Sequence, residues 1–138
     1  MKLILLLLML YFASTSFAQQ KSFIINGTAF ITTKHSEKNE YNSKDYYINI
    51  YKMVKGKKRF LVKHYTYQYG VDCNNVFKDI GTIDIKKDSL ILKTHFTQTG
   101  HDPIPEWEKK IYIVKQTGEV VLVYNNTFQN GKWSVVNE

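Results

Sequence analysis

Residues 45–69, DYYINIYKMVKGKKRFLVKHYTYQY, decide the fold. The segment alternates apolar or aromatic residues with polar ones on either side of a Lys55-Gly56-Lys57 turn. A period of two is the signature of a strand, because successive side chains leave a strand on opposite faces. Tyr46, Ile48 and Ile50 fall on one face of the first strand, and Tyr47, Tyr51 and Met53 on the other. In the second strand Leu61, Lys63, Tyr65, Tyr67 and Tyr69 share a face, opposite Phe60, Val62, His64, Thr66 and Gln68. Two strands joined by a short glycine turn read as a hairpin.

The same pattern continues outward in both directions. Ser22 to Thr33 reads as one strand with a bulge or bend at Asn26-Gly27, followed by a polar loop over Lys34 to Lys44. Gly70 to Lys78 reads as irregular. Asp79 to Lys86 and Ser89 to Thr99 pair around Lys87-Asp88, and Trp107 to Gln116 pairs with Glu119 to Asn125 around Thr117-Gly118. Lys132 to Val136 follows Asn130-Gly131, a strong hairpin signal because both residues tolerate positive φ. Pro103 and Pro105 stiffen the loop before Trp107. Helical periodicity is almost absent. The expected fold is all-β, an antiparallel up-and-down meander of about seven or eight strands. Strands with apolar residues on both faces, such as Val120 to Tyr124, favour a closed or nearly closed barrel, with a β-sandwich as the alternative.

The first eighteen residues have a different character. Lys2 precedes an uncharged apolar run from Leu3 to Phe12, and Ser16 and Ala18 occupy the −3 and −1 positions of a signal-peptidase site. The run is shorter than the roughly 20 residues that span a bilayer. Residues 1–18 are therefore expected to be a cleavable signal peptide, and 19–138 a single β domain with no stable membrane insertion after cleavage. The only cysteine is Cys73, so no cysteine stands at the first mature position to make a lipoprotein. The Phe17-Ala18-Gln19-Gln20 junction resembles Gram-negative export signals, which implies the periplasm or the cell exterior.

Removing Lys2 leaves 18 basic against 12 acidic residues, a net charge of +6, where the whole chain carries +7. A basic surface attracts anionic lipid, acidic polysaccharide or nucleic acid, or simply keeps a small protein soluble. An exported chain is not expected to meet nucleic acid. A lone cysteine closes no internal disulfide, so ten Tyr, eight Phe and two Trp must hold the domain by burial.

Catalytic signals are missing. His35, His64, His95 and His101 show no metal-ligand spacing, and no nucleophile elbow, phosphate loop or dinucleotide fingerprint occurs. No catalytic residue, metal or cofactor is expected. Glu106 and Glu108, flanking Trp107, read as a solvated edge, and Cys73 as a buried thiol. Gly27 is followed by Thr28-Ala29, so the Gly-x-Trp of a lipocalin's first strand is absent.

The tyrosines are the distinctive feature. Tyr47, Tyr51, Tyr65, Tyr67 and Tyr69 offer large apolar area with polar tips. Facing inward they would line a pocket for a small amphipathic ligand; facing outward they would form a docking patch; or they simply pair across strands. Trp107, Pro103 and Pro105 are candidate contacts for a protein partner. The expected function is that of an exported, non-catalytic small binding protein. The alternative is an exported protein-interaction module, such as an inhibitor or immunity protein acting in the periplasm.

Overall fold

The computed structural model describes residues 20–72, 75–99 and 105–136. Expectations concerning residues 1–18, Cys73, His101 and Pro103 lie outside the described residues. Nine strands form one antiparallel sheet in chain order: β1 (Lys21–Ile25), β2 (Thr28–Lys38), β3 (Lys44–Val54), β4 (Lys57–Asp72), β5 (Asn75–Lys86), β6 (Ser89–Thr99), β7 (Trp107–Val114), β8 (Val120–Gln129) and β9 (Lys132–Val135). The meander is as expected, with one strand more. Asn26-Gly27 is not a bulge but a tight hairpin turn, with φ of 48° and 75°, which splits the first expected strand in two. Lys55-Gly56 and Asn130-Gly131 repeat the same pair of positive φ angles, the mirror-image turn whose twist matches that of the flanking strands. β2 also runs on to Lys38 through the expected loop, and β4 and β5 occupy most of the expected irregular stretch.

The expected barrel closure is a second correction. β1 and β9 are the two edges of the sheet, and no ladder joins them. The sheet folds over instead. β4 pairs with β5 only from Tyr67 to Asp72, against Asn75 to Ile80. Before Tyr67, β4 pairs with β3 alone; after Ile80, β5 pairs with β6 alone. The parting point is Gly81, where an added Cβ would lie 1.9 Å from the Tyr65 carbonyl oxygen. Only a glycine lets the two backbones pass this closely.

Past that seam the two halves of the sheet bury a common core. The first half supplies Ile25, Phe30 and Ile50; the second supplies Leu90, Leu92 and Val114. All six are at most 2% exposed, and each stabilises the fold by about 1.5–3 kcal/mol. Polar contacts pin the free end of the fold. The Asn26 side-chain amide donates to the Val114 carbonyl at 2.6 Å, and the Lys52 ammonium donates to the Gly118 carbonyl. Side-chain packing and two such contacts therefore do what a β1–β9 ladder would do in a barrel. Closure was expected in order to hide strands apolar on both faces, but β8 and β9 stay exposed: Val123 is 56% and Val135 69% accessible.

Candidate functional site: an aromatic row across the sheet

Alternation places the outward residues. Leu90, Leu92 and Val114 point into the core, so His95 on β6 and Trp107 on β7, an odd number of residues away, point out. On β4 the register slips by one residue between Tyr65 and Tyr67, so Tyr65 shares a face with Tyr47 while Tyr67 shares the opposite one with Tyr46. On β8 the register slips by one residue between Ile111 and Tyr112 of its partner. That bulge turns Phe128 away from the face used by Val120, which packs on the core.

The registers then align one row across seven strands. Tyr46 lies opposite Tyr67, Tyr67 opposite Ile80, Ile80 opposite His95, His95 opposite Trp107, Trp107 opposite Phe128 and Phe128 opposite Trp133. Directly opposed residues in an antiparallel pair share a face and touch. Ring centroids are 6.2 Å apart for Tyr46 and Tyr67, 4.3 Å for His95 and Trp107, and 5.3 Å for Phe128 and Trp133. Tyr124 meets Trp133 edge-on at 6.2 Å. The row is open to solvent: Tyr46 is 47%, Ile80 41%, Trp107 37% and Trp133 40% exposed.

A hollow lies at each end of the row. One, of about 370 Å³, is bordered by Lys34, Tyr46 and Tyr67 among others. The other, of about 330 Å³, is lined by Lys93, Trp107, Glu108, Lys109, Phe128 and Trp133. The approach to Trp107 is held by main-chain bonds, Phe96 N–H to the Glu106 carbonyl at 3.0 Å and Glu106 N–H to the Phe128 carbonyl at 2.8 Å. Pro105, half-buried, leads into this corner.

The five candidate tyrosines do not form one surface. Tyr67 belongs to the row. Tyr47 and Tyr65 pair at 5.7 Å, with the Lys63 ammonium 3.9 Å and 4.5 Å from their ring centres and His35 stacked on Tyr47 at 5.2 Å. Glu37 accepts from the Tyr65 hydroxyl at 2.7 Å and from Lys63 at 3.0 Å. The Tyr65 hydroxyl, and after it Lys63, hold the Glu37 carboxyl below its ordinary value. Tyr51 meets Phe60 edge-on at 5.9 Å, and Asn39 donates to the Tyr69 carbonyl at 2.8 Å.

Between the two halves of the sheet a smaller hollow of about 160 Å³ is lined by Val62, His64, Tyr65, Gln68, Leu92 and Phe96, with Glu108 and Lys110 beside them. Of the five candidate tyrosines, Tyr65 alone borders it. Burial pushes the His64 imidazole below its usual value, which keeps it neutral, and its Nε2 has no hydrogen-bond partner among the described residues. Nearby, burial and then the charge of Asp45 raise the Asp79 carboxyl to about 6. No cluster of three or more metal-ligating side chains occurs among the described residues.

Sequence reasoning singled out Trp107 and Tyr67 but missed Tyr46, His95, Phe128 and Trp133. The pairing of Phe128 with Trp133 was available from the Asn130-Gly131 turn, since a two-residue hairpin fixes its register. The Ile80–His95 pairing follows in the same way from the Lys87-Asp88 turn, whereas Tyr46–Tyr67 and Trp107–Phe128 depended on bulges with no clear mark in the sequence.

No family model, curated protein or solved structure matches this chain.

Proposed function

We propose that this protein is an exported, non-catalytic binding protein that engages its ligand with the outward sheet face centred on Trp107. The observation that carries this reading is the register row from Ile80 to Trp133, with Ile80, Trp107 and Trp133 each at least 37% exposed on the outer face of the second half. Aromatic and other large apolar side chains at such exposure are costly to leave in water, and contiguous patches of them mark binding surfaces. The export half of the reading rests on Lys2, the Leu3–Phe12 run and the Ser16/Ala18 site.

Two measurements test it. Protein recovered from outside the cytoplasm should begin at Gln19; an intact Met1 terminus there would sink the export reading. The mature protein should co-sediment with an insoluble cell-envelope and matrix preparation, and the doubly substituted Trp107→Ala, Trp133→Ala protein should stay in the supernatant while still folding to the same β-sheet circular-dichroism spectrum. Equal retention of both would remove the aromatic face from the function.

A second reading rests on a separate observation, the hollow at His64. A small amphipathic molecule with a hydroxyl group would fit its apolar walls and donate to the unpartnered Nε2. Native mass spectrometry of the protein taken from its own cell envelope distinguishes the two. An added mass lost in His64→Phe supports the hollow; a bare chain that still sediments through Trp107 leaves the outer face alone.

A further inference from the structure

We propose that the occupant of the aromatic row is a strand of acidic polysaccharide, with the rings stacking on sugar faces and lysines pairing with its carboxylates; this rests on the outer-face reading above. Opposed residues on neighbouring strands repeat about every 4.8 Å, so the five positions of the second half, Ile80 to Trp133, cover about 19 Å. A strip that long, narrow and repetitive suits a linear polymer better than a compact ligand.

Four of these five positions carry a ring, Ile80 being the exception. An aromatic face is a broad polarisable plane, complementary to the C–H-bearing face of a pyranose ring, while phenol, imidazole and indole edges meet hydroxyls.

Charge selects an acidic chain. The hollow at Trp107 joins rings to ammonium groups, Lys93 and Lys109 with Trp107, Phe128 and Trp133. The one carboxylate in the Trp107 hollow, Glu108, is already paired with Lys110 at 3.1 Å. Lys93 reaches Asp84 only at 3.6 Å across a solvent-exposed gap, a weak pair that a ligand carboxylate can replace. Lys109 stands 5.4 Å from the Tyr124 ring. Among 19 basic residues of the whole chain the single arginine is Arg59, on the other half of the sheet. Arginine's bidentate fork is over-represented where phosphate is recognised, and this face offers only spaced ammonium point charges, which also suit isolated carboxylates.

Affinity electrophoresis of the mature protein tests this, with polygalacturonate, neutral hydroxyethylcellulose or single-stranded oligo-dT in the gel. Polygalacturonate should retard the protein strongly and hydroxyethylcellulose should not. Trp133→Ala, on an exposed edge strand that tolerates substitution, should weaken the retardation about tenfold, and Trp107→Ala similarly. Lys109→Gln should weaken it several-fold and flatten its dependence on salt. Retardation unchanged in Trp133→Ala and Trp107→Ala would mean ion exchange by a basic surface and overturn the proposal. Stronger retardation by oligo-dT would assign the face to nucleic acid, and equal retardation by hydroxyethylcellulose would remove the acidic requirement; both overturn it. If no polysaccharide binds but envelope co-sedimentation still needs Trp107 and Trp133, the polysaccharide fails and the outer-face reading stands. If co-sedimentation ignores both tryptophans, the outer-face reading fails with it.

Discussion

The two halves of the sheet both carry aromatic rings outward, and they use them differently. On the first half, Tyr47, Tyr65, Lys63, His35 and Glu37 satisfy one another: rings face the ammonium, and the carboxylate takes the hydroxyl and the ammonium. Little of that chemistry is left for a ligand. On the second half, Phe128 meets Trp133 at 5.3 Å and Trp107 meets His95 at 4.3 Å, and Trp107, Phe128 and Trp133 line an open hollow with lysines at its rim. Abundance of aromatics therefore does not mark a site; what marks it is interaction capacity that the fold leaves unspent.

The contrast presumes that the halves part at Gly81, and that premise can be broken most forcefully. Gly81→Ala forces a Cβ against the Tyr65 carbonyl, main chain that cannot swing aside, and should cost about 3 kcal/mol in urea unfolding. Gly70→Ala is the matched control. There the added Cβ meets the rings of Phe77 and Tyr41, which can rotate, so the loss should be nearer 1 kcal/mol. Equal costs would mean that the seam is not tight at Gly81.

The next effect comes from the titratable groups beside the seam. Asp79 has a folded-state pKa of about 6, above its unfolded value, so the folded state holds the proton more tightly. Its contribution to stability is present at about pH 4 and lost as pH rises through about 6. His64, lowered by burial, has the opposite sign: its contribution is present above its unfolded value of about 6.5 and is lost as pH falls into the folded range. Asp79→Asn should therefore raise the melting temperature at pH 8 and leave it nearly unchanged at pH 4. A variant no more stable than the parent at pH 8 would remove Asp79 from this role.

The comparison itself is sharpened by exchanging the two kinds of ring. Trp133→Ala should cost only about 1 kcal/mol in stability, from its ring contacts with Phe128 and Tyr124, yet release the protein from envelope material. Tyr65→Phe should lower stability slightly and leave that retention intact. The reverse pattern would relocate the binding surface to the first half. The smallest effect is local. In Tyr65→Phe the Glu37 carboxyl loses the hydroxyl that chiefly depresses it, and its titration by NMR should move up toward 4.5. An unmoved curve would deny the hydroxyl that part.

Strands, turns and their order were legible in the chain. Period-two alternation from Asp45 to Tyr69 announces strands, and the positive-φ pairs at Lys55-Gly56 and Asn130-Gly131 fix hairpins, because both are local consequences of backbone sterics. Asn26-Gly27 carried the same signal and was read as a bend, so the extra strand was legible too. The site was not. Counted straight from its turn, Trp107 would face Thr127; the slip at Ile111/Tyr112 brings it to Phe128. Two similar slips in the β3–β4 pair bring Tyr46 opposite Tyr67. Such bulges are chosen by how the halves pack over Ile50 and Leu90, a long-range event that no local pattern encodes. The chain alone determined a basic, tyrosine-rich antiparallel meander, since propensity and turn chemistry act within a few residues. Only the tertiary structure decided that the sheet folds at Gly81 without closing, and that six rings from six strands line up, since register across distant strands is settled by the packing of the whole core.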